Sequence, residues 1–146
     1  MTQYKSWLLN HLHQVCEQNP FVSLLEMQIT NLGEGVATIT IPTIAEKHTN
    51  PYGFVHGGAL TSMADTAMGI ACSTTGNRVW TIEMNTNFIK NVLKGSKLIA
   101  VGKVIHTGKT TMVAEAEIWD EDQQLLVKGR GTFFIVGRYE KSPLKS

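Results

Sequence analysis

Between Glu46 and Glu83 the chain carries a single acidic residue, Asp65. Eight positions before it lies Gly57, within the step His56-Gly57-Gly58. His-Gly-Gly ahead of a proline-free run of small residues reads as the start of a helix. A helix start offers unpaired N–H groups and the positive end of the helix dipole, so it can hold an oxyanion as charge develops on a carbonyl oxygen. A carboxylate within the same helix could be the base or nucleophile that goes with it. Spacing adds a constraint. At ~1.5 Å rise per residue, Asp65 and Gly57 stand about 12 Å apart along the axis, whereas donor and base must each come within ~3 Å of one reacting centre. One copy of the helix cannot supply both to one substrate; two antiparallel copies can. If the stretch is catalytic, the spacing predicts at least a homodimer with two equivalent sites across a two-fold axis.

The elements that must position these groups follow from the hydrophobic pattern. A helix over 57–74 has one apolar stripe, Leu60, Ala64, Ala67, Met68 and Ala71, while Asp65 lies off it among Thr61, Ser62, Met68 and Gly69. The loop before it, 43–56, is polar, rich in His, Asn, Pro and Gly, and longer than a structural connection needs. Upstream, residues 4–18 form an amphipathic helix that Asn19-Pro20 stops, followed by a hairpin with Asn31 to Gly35 at its turn and Pro42 at its end. Downstream, strand-like runs at 79–88, 97–106, 110–119 and 124–136 read as one long antiparallel meander. In the first of these Thr81, Glu83, Asn85 and Asn87 share one face. Helix, hairpin, long helix and four strands assemble as one six-stranded antiparallel sheet curled around the long helix, an α+β domain. We read 1–146 as one domain with its core at about 20–136 and a polar, frayed tail over 137–146.

Composition excludes several functions. The net charge is +1 and no basic block exists, so nucleic acid is not an expected partner. Cys16 and Cys72 lack CxxC spacing, which implies neither zinc nor a disulfide framework but free thiols in a reducing cytosol. His11 and His13 are two residues apart and point to different faces of a helix, so no metal site is expected there. No apolar run approaches the ~20 residues a bilayer span needs, and the N-terminus lacks a signal-peptide pattern. The expected location is cytoplasmic.

Asn50-Pro51-x-Gly53-x-x-His56-Gly57-Gly58, then Ala64-Asp65, then Thr81-x-x-x-Asn85 resembles the hotdog-fold acyl-CoA thioesterases, in the branch of the phenylacetate-degradation (PaaI-type) enzymes. Gly95, His106-Thr107-Gly108-Lys109 and Gly129-Arg130-Gly131-Thr132 look like that family too, and the resemblance covers about residues 20–136. It implies hydrolysis of coenzyme A thioesters. Asp65 would be general base or nucleophile, and the Gly57 N–H would polarise the thioester carbonyl. Asn50 would sit near the thioester or the water, His56 would orient the loop and help bind substrate, and Thr81 would bring a hydroxyl near the water. In this branch the Asp and the Gly donor come from different subunits of a dimer, and such dimers commonly pair into tetramers.

A thioester needs only water, a base and an oxyanion donor, so no metal or organic cofactor is expected. Lys90, Lys94, Lys109 and Arg130 are candidates for the coenzyme A phosphates. Two alternatives stay open: a hotdog-fold hydratase or dehydratase, for which the sequence shows no Asp-x4-His arrangement, and a non-catalytic acyl-CoA-binding module.

Overall fold

The helix bearing Asp65 runs Gly57–Ser73 (α3) in the computed structural model, which describes residues 2–141. Two helices precede it. Gln3–Glu17 (α1) starts where the Thr2 hydroxyl accepts from the Lys5 N–H at 3.1 Å, and buries Leu8 and Leu12. Asn19-Pro20 does stop α1, and it also starts Pro20–Leu24 (α2): Asn19 Oδ1 accepts from the Phe21 N–H at 2.9 Å while proline occupies the first turn. An N-cap followed by proline is a helix start as well as a stop.

The strands are Gln28–Gly33 (β1), Val36–Ile41 (β2), Asn77–Phe88 (β3), Leu98–Thr107 (β4), Thr111–Asp120 (β5) and Leu125–Arg138 (β6). The hairpin turn is tighter than expected: Asn31 to Gly33 belong to β1, and Gly35 at φ +74° makes the bend. All strands pair antiparallel in the order β1-β2-β4-β5-β6-β3. The expected meander is therefore corrected. Only β4, β5 and β6 follow one another; β2 pairs with β4, and β3 pairs with β6 at the outer edge. The tail is corrected as well, because β6 continues through Arg138, while residues 142–146 lie outside the described ones.

The concave face of the sheet closes on α3. Ala37, Ile39, Leu98, Ala100, Met112, Ala114, Ile118 and Phe133 meet Leu60, Met63, Ala64, Ala67, Met68 and Ala71, all buried. The approach is closest at Gly102, where a Cβ would lie 2.2 Å from the Ala67 carbonyl oxygen. Only glycine permits β4 to sit that near the helix backbone.

A bulge in β3 between Thr81 and Glu83 changes which residues face α3. Thr81 pairs with buried Phe133, Met84 with Gly131 and Thr86 with Gly129, so Thr81, Met84, Thr86 and Phe88 line the helix side. Glu83, Asn85 and Asn87 face outward. The shared face expected for Thr81, Glu83, Asn85 and Asn87 is thus broken after Thr81, because one extra residue flips the alternation.

Candidate active site

Two separate groups of residues form at opposite ends of β3. The first is the start of α3. His56 holds an extended backbone at the N-cap, and its Nδ1 accepts from the Gly58 N–H at 2.7 Å. That nitrogen carries a lone pair, so the ring is the neutral tautomer with its proton on Nε2. The Ala59 N–H goes to the His56 carbonyl at 2.9 Å. Among the described residues the Gly57 N–H has no acceptor, and it points from the positive end of the helix. The ring of Phe88 lies against Gly57, 3.3 Å from where a Cβ would be.

The preceding loop is held by its own side chains. Asn50 Oδ1 accepts from the Tyr52 N–H at 2.9 Å and the Phe54 N–H at 3.1 Å, which leaves the Asn50 NH2 as its only uncommitted polar group. His48, which the sequence reading passed over, is fully buried. Its Nδ1 accepts from the Ala45 N–H at 2.9 Å and its Nε2–H donates to the Leu25 carbonyl at 2.7 Å, while its own carbonyl takes the His56 N–H at 2.8 Å. His48 thereby fixes the loop to the end of α2 and aims it into α3. Its only sequence signal was a histidine in a loop, which burial alone distinguishes from a surface one.

The second group surrounds Asp65, which is half-buried on α3. Thr81 Oγ1 donates to Asp65 Oδ1 at 2.7 Å. One carboxylate oxygen is thus held and the other left open. The pair borders a cleft of about 200 Å³ lined also by Cys16, Asn19, Val22, Gly69, Ile70 and Phe133. The α1–α2 residues of this cleft were missed because the Asn19-Pro20 signal read only as a helix end. Burial pushes the Cys16 thiol up to about 11 and the Cys72 thiol up to about 12, so both stay protonated at neutral pH.

Within one chain, then, Asp65 and Thr81 meet, while Asn50 braces the loop that leads into His56 and Gly57, and the two groups do not converge. The candidate cations divide as well. Lys94 joins the first group through its N–H to the Gly53 carbonyl at 2.9 Å. Lys90 follows β3 at the Phe88 end and contacts Gln124. Lys109 lies in the turn between β4 and β5, at the Trp80 end of the sheet by the register Thr111 to Phe134 to Trp80. Arg130 lies on the outer face, where its Nη2 donates to Glu115 at 2.7 Å and holds that carboxyl below the usual carboxylate range. No group of three or more His, Cys, Asp or Glu able to hold a metal occurs among the described residues.

Comparison with known proteins identifies what this arrangement belongs to. Residues 52–127 match the model of the thioesterase superfamily, a span that includes Gly57, Asp65 and Thr81. The chain belongs to the thioesterase superfamily. It is 30% identical to the acyl-coenzyme A thioesterase PaaI of Escherichia coli over 92% of this chain and 94% of that protein. The structure of the E. coli PaaI protein superposes with a TM-score of 0.86 at 29% identity, covering 94% of this chain and 98% of that one. A Streptococcus mutans protein bound to acetyl CoA superposes at 0.75 with 26% identity, over 78% of this chain and 91% of its own. This thioesterase therefore has the hotdog fold of the PaaI-type branch and is a thioester hydrolase. No helix among its described residues is long and apolar enough to cross a membrane.

Proposed function

We propose that the protein hydrolyses acyl-CoA thioesters to free acid and coenzyme A at two sites shared across a homodimer. The observation that carries this reading is the half-buried Asp65 carboxylate, gripped through one oxygen by Thr81 at the mouth of a cleft. The thioester carbonyl oxygen accepts from the Gly57 N–H of the second copy, where the helix dipole stabilises the developing oxyanion. Asp65, through its free oxygen, takes a proton from water as that water adds to the carbonyl carbon. The tetrahedral intermediate collapses, the C–S bond breaks, and the coenzyme A sulfur leaves with the proton. Direct attack by Asp65, giving a mixed anhydride, fits the same geometry. Asn50 shapes the loop and keeps its NH2 for carbonyl or water, and the outward Nε2–H of His56 is available to substrate.

The sheet edge supports the shared site. β3 has an unpaired side, and such an edge is a template for pairing. A two-fold pairing of β3 with its copy, centred on Asn85, keeps like faces together and, past the one-residue bulge after Thr81, sets Thr81 opposite Phe88 of the second chain. That brings Asp65 beside the second chain's Gly57. The outer face near this edge exposes Trp80, 70% accessible, and Phe134, a surface on which two dimers can join as a tetramer. Coenzyme A thioesters as substrate and two protonated thiols fit a cytoplasmic enzyme.

The test is thiol release from a panel of acyl-CoAs by the native protein and by Asp65→Asn. The change should lower kcat by about 10²- to 10⁴-fold, the contribution of a general base, and leave KM nearly unaltered. Unchanged turnover removes Asp65 from the mechanism, and double-bond formation in place of thiol release supports the hydratase class instead.

A further inference from the structure

Gly69 lies inside α3, one turn beyond Asp65 on the same face. Glycine in a helix interior is a poor choice, tolerated only for a packing or functional reason. At the other crowded glycines the packing reason is plain: a Cβ on Gly102 would fall 2.2 Å from backbone, and one on Gly131 would fall 3.0 Å from the Phe133 ring. At Gly69 nothing among the described residues forbids a side chain. Among the described residues, and apart from its own stretch of helix, the one atom within 4 Å of its Cβ position is Phe133 Cε1, at an ordinary 3.6 Å. What a side chain would enter is the cleft of about 200 Å³ behind Asp65.

We infer that Gly69 is the specificity-determining position of this thioesterase, left bare so that the acyl group can lie between α3, β3 and the α1–α2 corner. The inference rests on the proposed hydrolysis at Asp65. A carbonyl held there directs its acyl arm along α3 toward Gly69 and Ser73, with Phe133, Val79, Ile70 and Val22 around it. The hydroxyls in the wall are already spent on their own helix: Thr66 Oγ1 donates to the Ser62 carbonyl at 2.7 Å and Ser73 Oγ to the Gly69 carbonyl at 3.0 Å. Asn19 Oδ1 is taken by the Phe21 N–H at 2.9 Å. Val22, Ile70, Val79 and Phe133 give the wall an apolar side that suits an apolar acyl group. A space of roughly 150 Å³ holds a benzene ring, so a cleft of about 200 Å³ has room for an acyl group the size of one ring and not for the whole of a long straight chain.

The experiment compares the native protein, Gly69→Ala and Gly69→Leu on acetyl-, butyryl-, hexanoyl-, benzoyl- and palmitoyl-CoA, with thermal melting and dimer content measured alongside. The native protein should favour the benzoyl- and hexanoyl-sized groups over palmitoyl. Gly69→Ala, which meets only an ordinary contact and is the better helix former, should melt no lower than the native protein. It should lose about tenfold in kcat/KM on the larger groups, the scale of one methylene in a fitted pocket. Its acetyl-CoA hydrolysis should fall by less, so that the ratio of benzoyl- to acetyl-CoA kcat/KM drops. Gly69→Leu should extend the loss to butyryl-CoA. An unshifted preference in stable, dimeric variants overturns the inference and leaves the hydrolase reading standing. Loss of dimer with an equal fall on all acyl groups also overturns it, and assigns the bare face to the second chain. A native protein that hydrolyses none of the panel removes both readings together.

Discussion

Gly57 permits an unusually clean test of the proposed oxyanion donor. It is the first residue of α3, where a missing N–H costs the helix nothing and the fixed φ of proline suits the turn. His56 already holds φ −65° and ψ 135°, the extended conformation that a residue before proline requires. Gly57→Pro therefore deletes the candidate donor and little else, apart from a contact with the end of the Phe88 ring, 3.3 Å from the Cβ position. Gly57→Ala makes the same contact and keeps the N–H, so the ratio of the two variants isolates the hydrogen bond. Loss of one oxyanion donor costs about 10²- to 10³-fold in kcat, or roughly 2.7–4 kcal/mol. In the proposed dimer Asp65 and Gly57 of one chain serve different sites, so mixing Gly57→Pro with Asp65→Asn chains should rebuild one intact site in every hybrid dimer. Random reassociation at equal amounts makes half the dimers hybrids with one of two sites whole, so about a quarter of native activity should return. Thiol release after co-refolding reads this directly, with hybrids verified by two different affinity tags. Verified hybrids without recovery, or a Gly57→Pro chain as active as Gly57→Ala, would refute the reasoning.

Other predictions concern the frame. Gly102→Ala drives a Cβ to 2.2 Å from the Ala67 oxygen, where backbone must yield by about 1 Å, and should cost ~1–3 kcal/mol in urea unfolding. Since Ala67 is two residues past Asp65, kcat should also fall by about 10²-fold; an unchanged midpoint would contradict the close seating of α3 on β4. The thiols give a pH signature. Cys16 and Cys72 rise from an ordinary 9.0 to about 11 and about 12 in the folded protein. The native state therefore holds their protons longer than the unfolded chain does. Their stabilising contribution is whole below pH 9 and is lost as pH climbs through 11 and 12. Alkylation of Cys16 in the folded protein should keep accelerating to about pH 11; a plateau near pH 9 would show a solvated thiol.

Much of this was legible in the sequence, and the gaps have physical causes. The α3 helix could be read to within a residue because a His-Gly-Gly step and a stripe of small apolar residues both act locally. The separation of Asp65 from Gly57 needed only the helix rise. Long-range pairing was not legible: β3 follows α3 in the chain yet docks on β6, and no local pattern distinguishes that from pairing with β4. The Thr81 hydroxyl reaches Asp65 only because a one-residue bulge turns Glu83 outward, and alternation counted by eye runs straight through such a bulge. Arg130 looked like any surface cation, and only the register Glu115 to Arg130 shows that a neighbouring strand already claims it. His48 and Asn50 needed the folded loop, since their partners are backbone groups within it and at Leu25.

The α1–α2 corner that closes the cleft has a wider meaning. The span matching the superfamily, 52–127, contains the acid, its hydroxyl partner and the free amide, whereas Cys16, Asn19, Val22 and Phe133 fall outside it. On the proposed reading, part of the acyl wall is thus written outside the matched stretch, while Gly69, Ile70 and Val79 belong to it. Should the acyl arm lie where we propose, drift at the α1–α2 corner would retune which molecules are accepted while Asp65, Thr81 and Gly57 stay as they are.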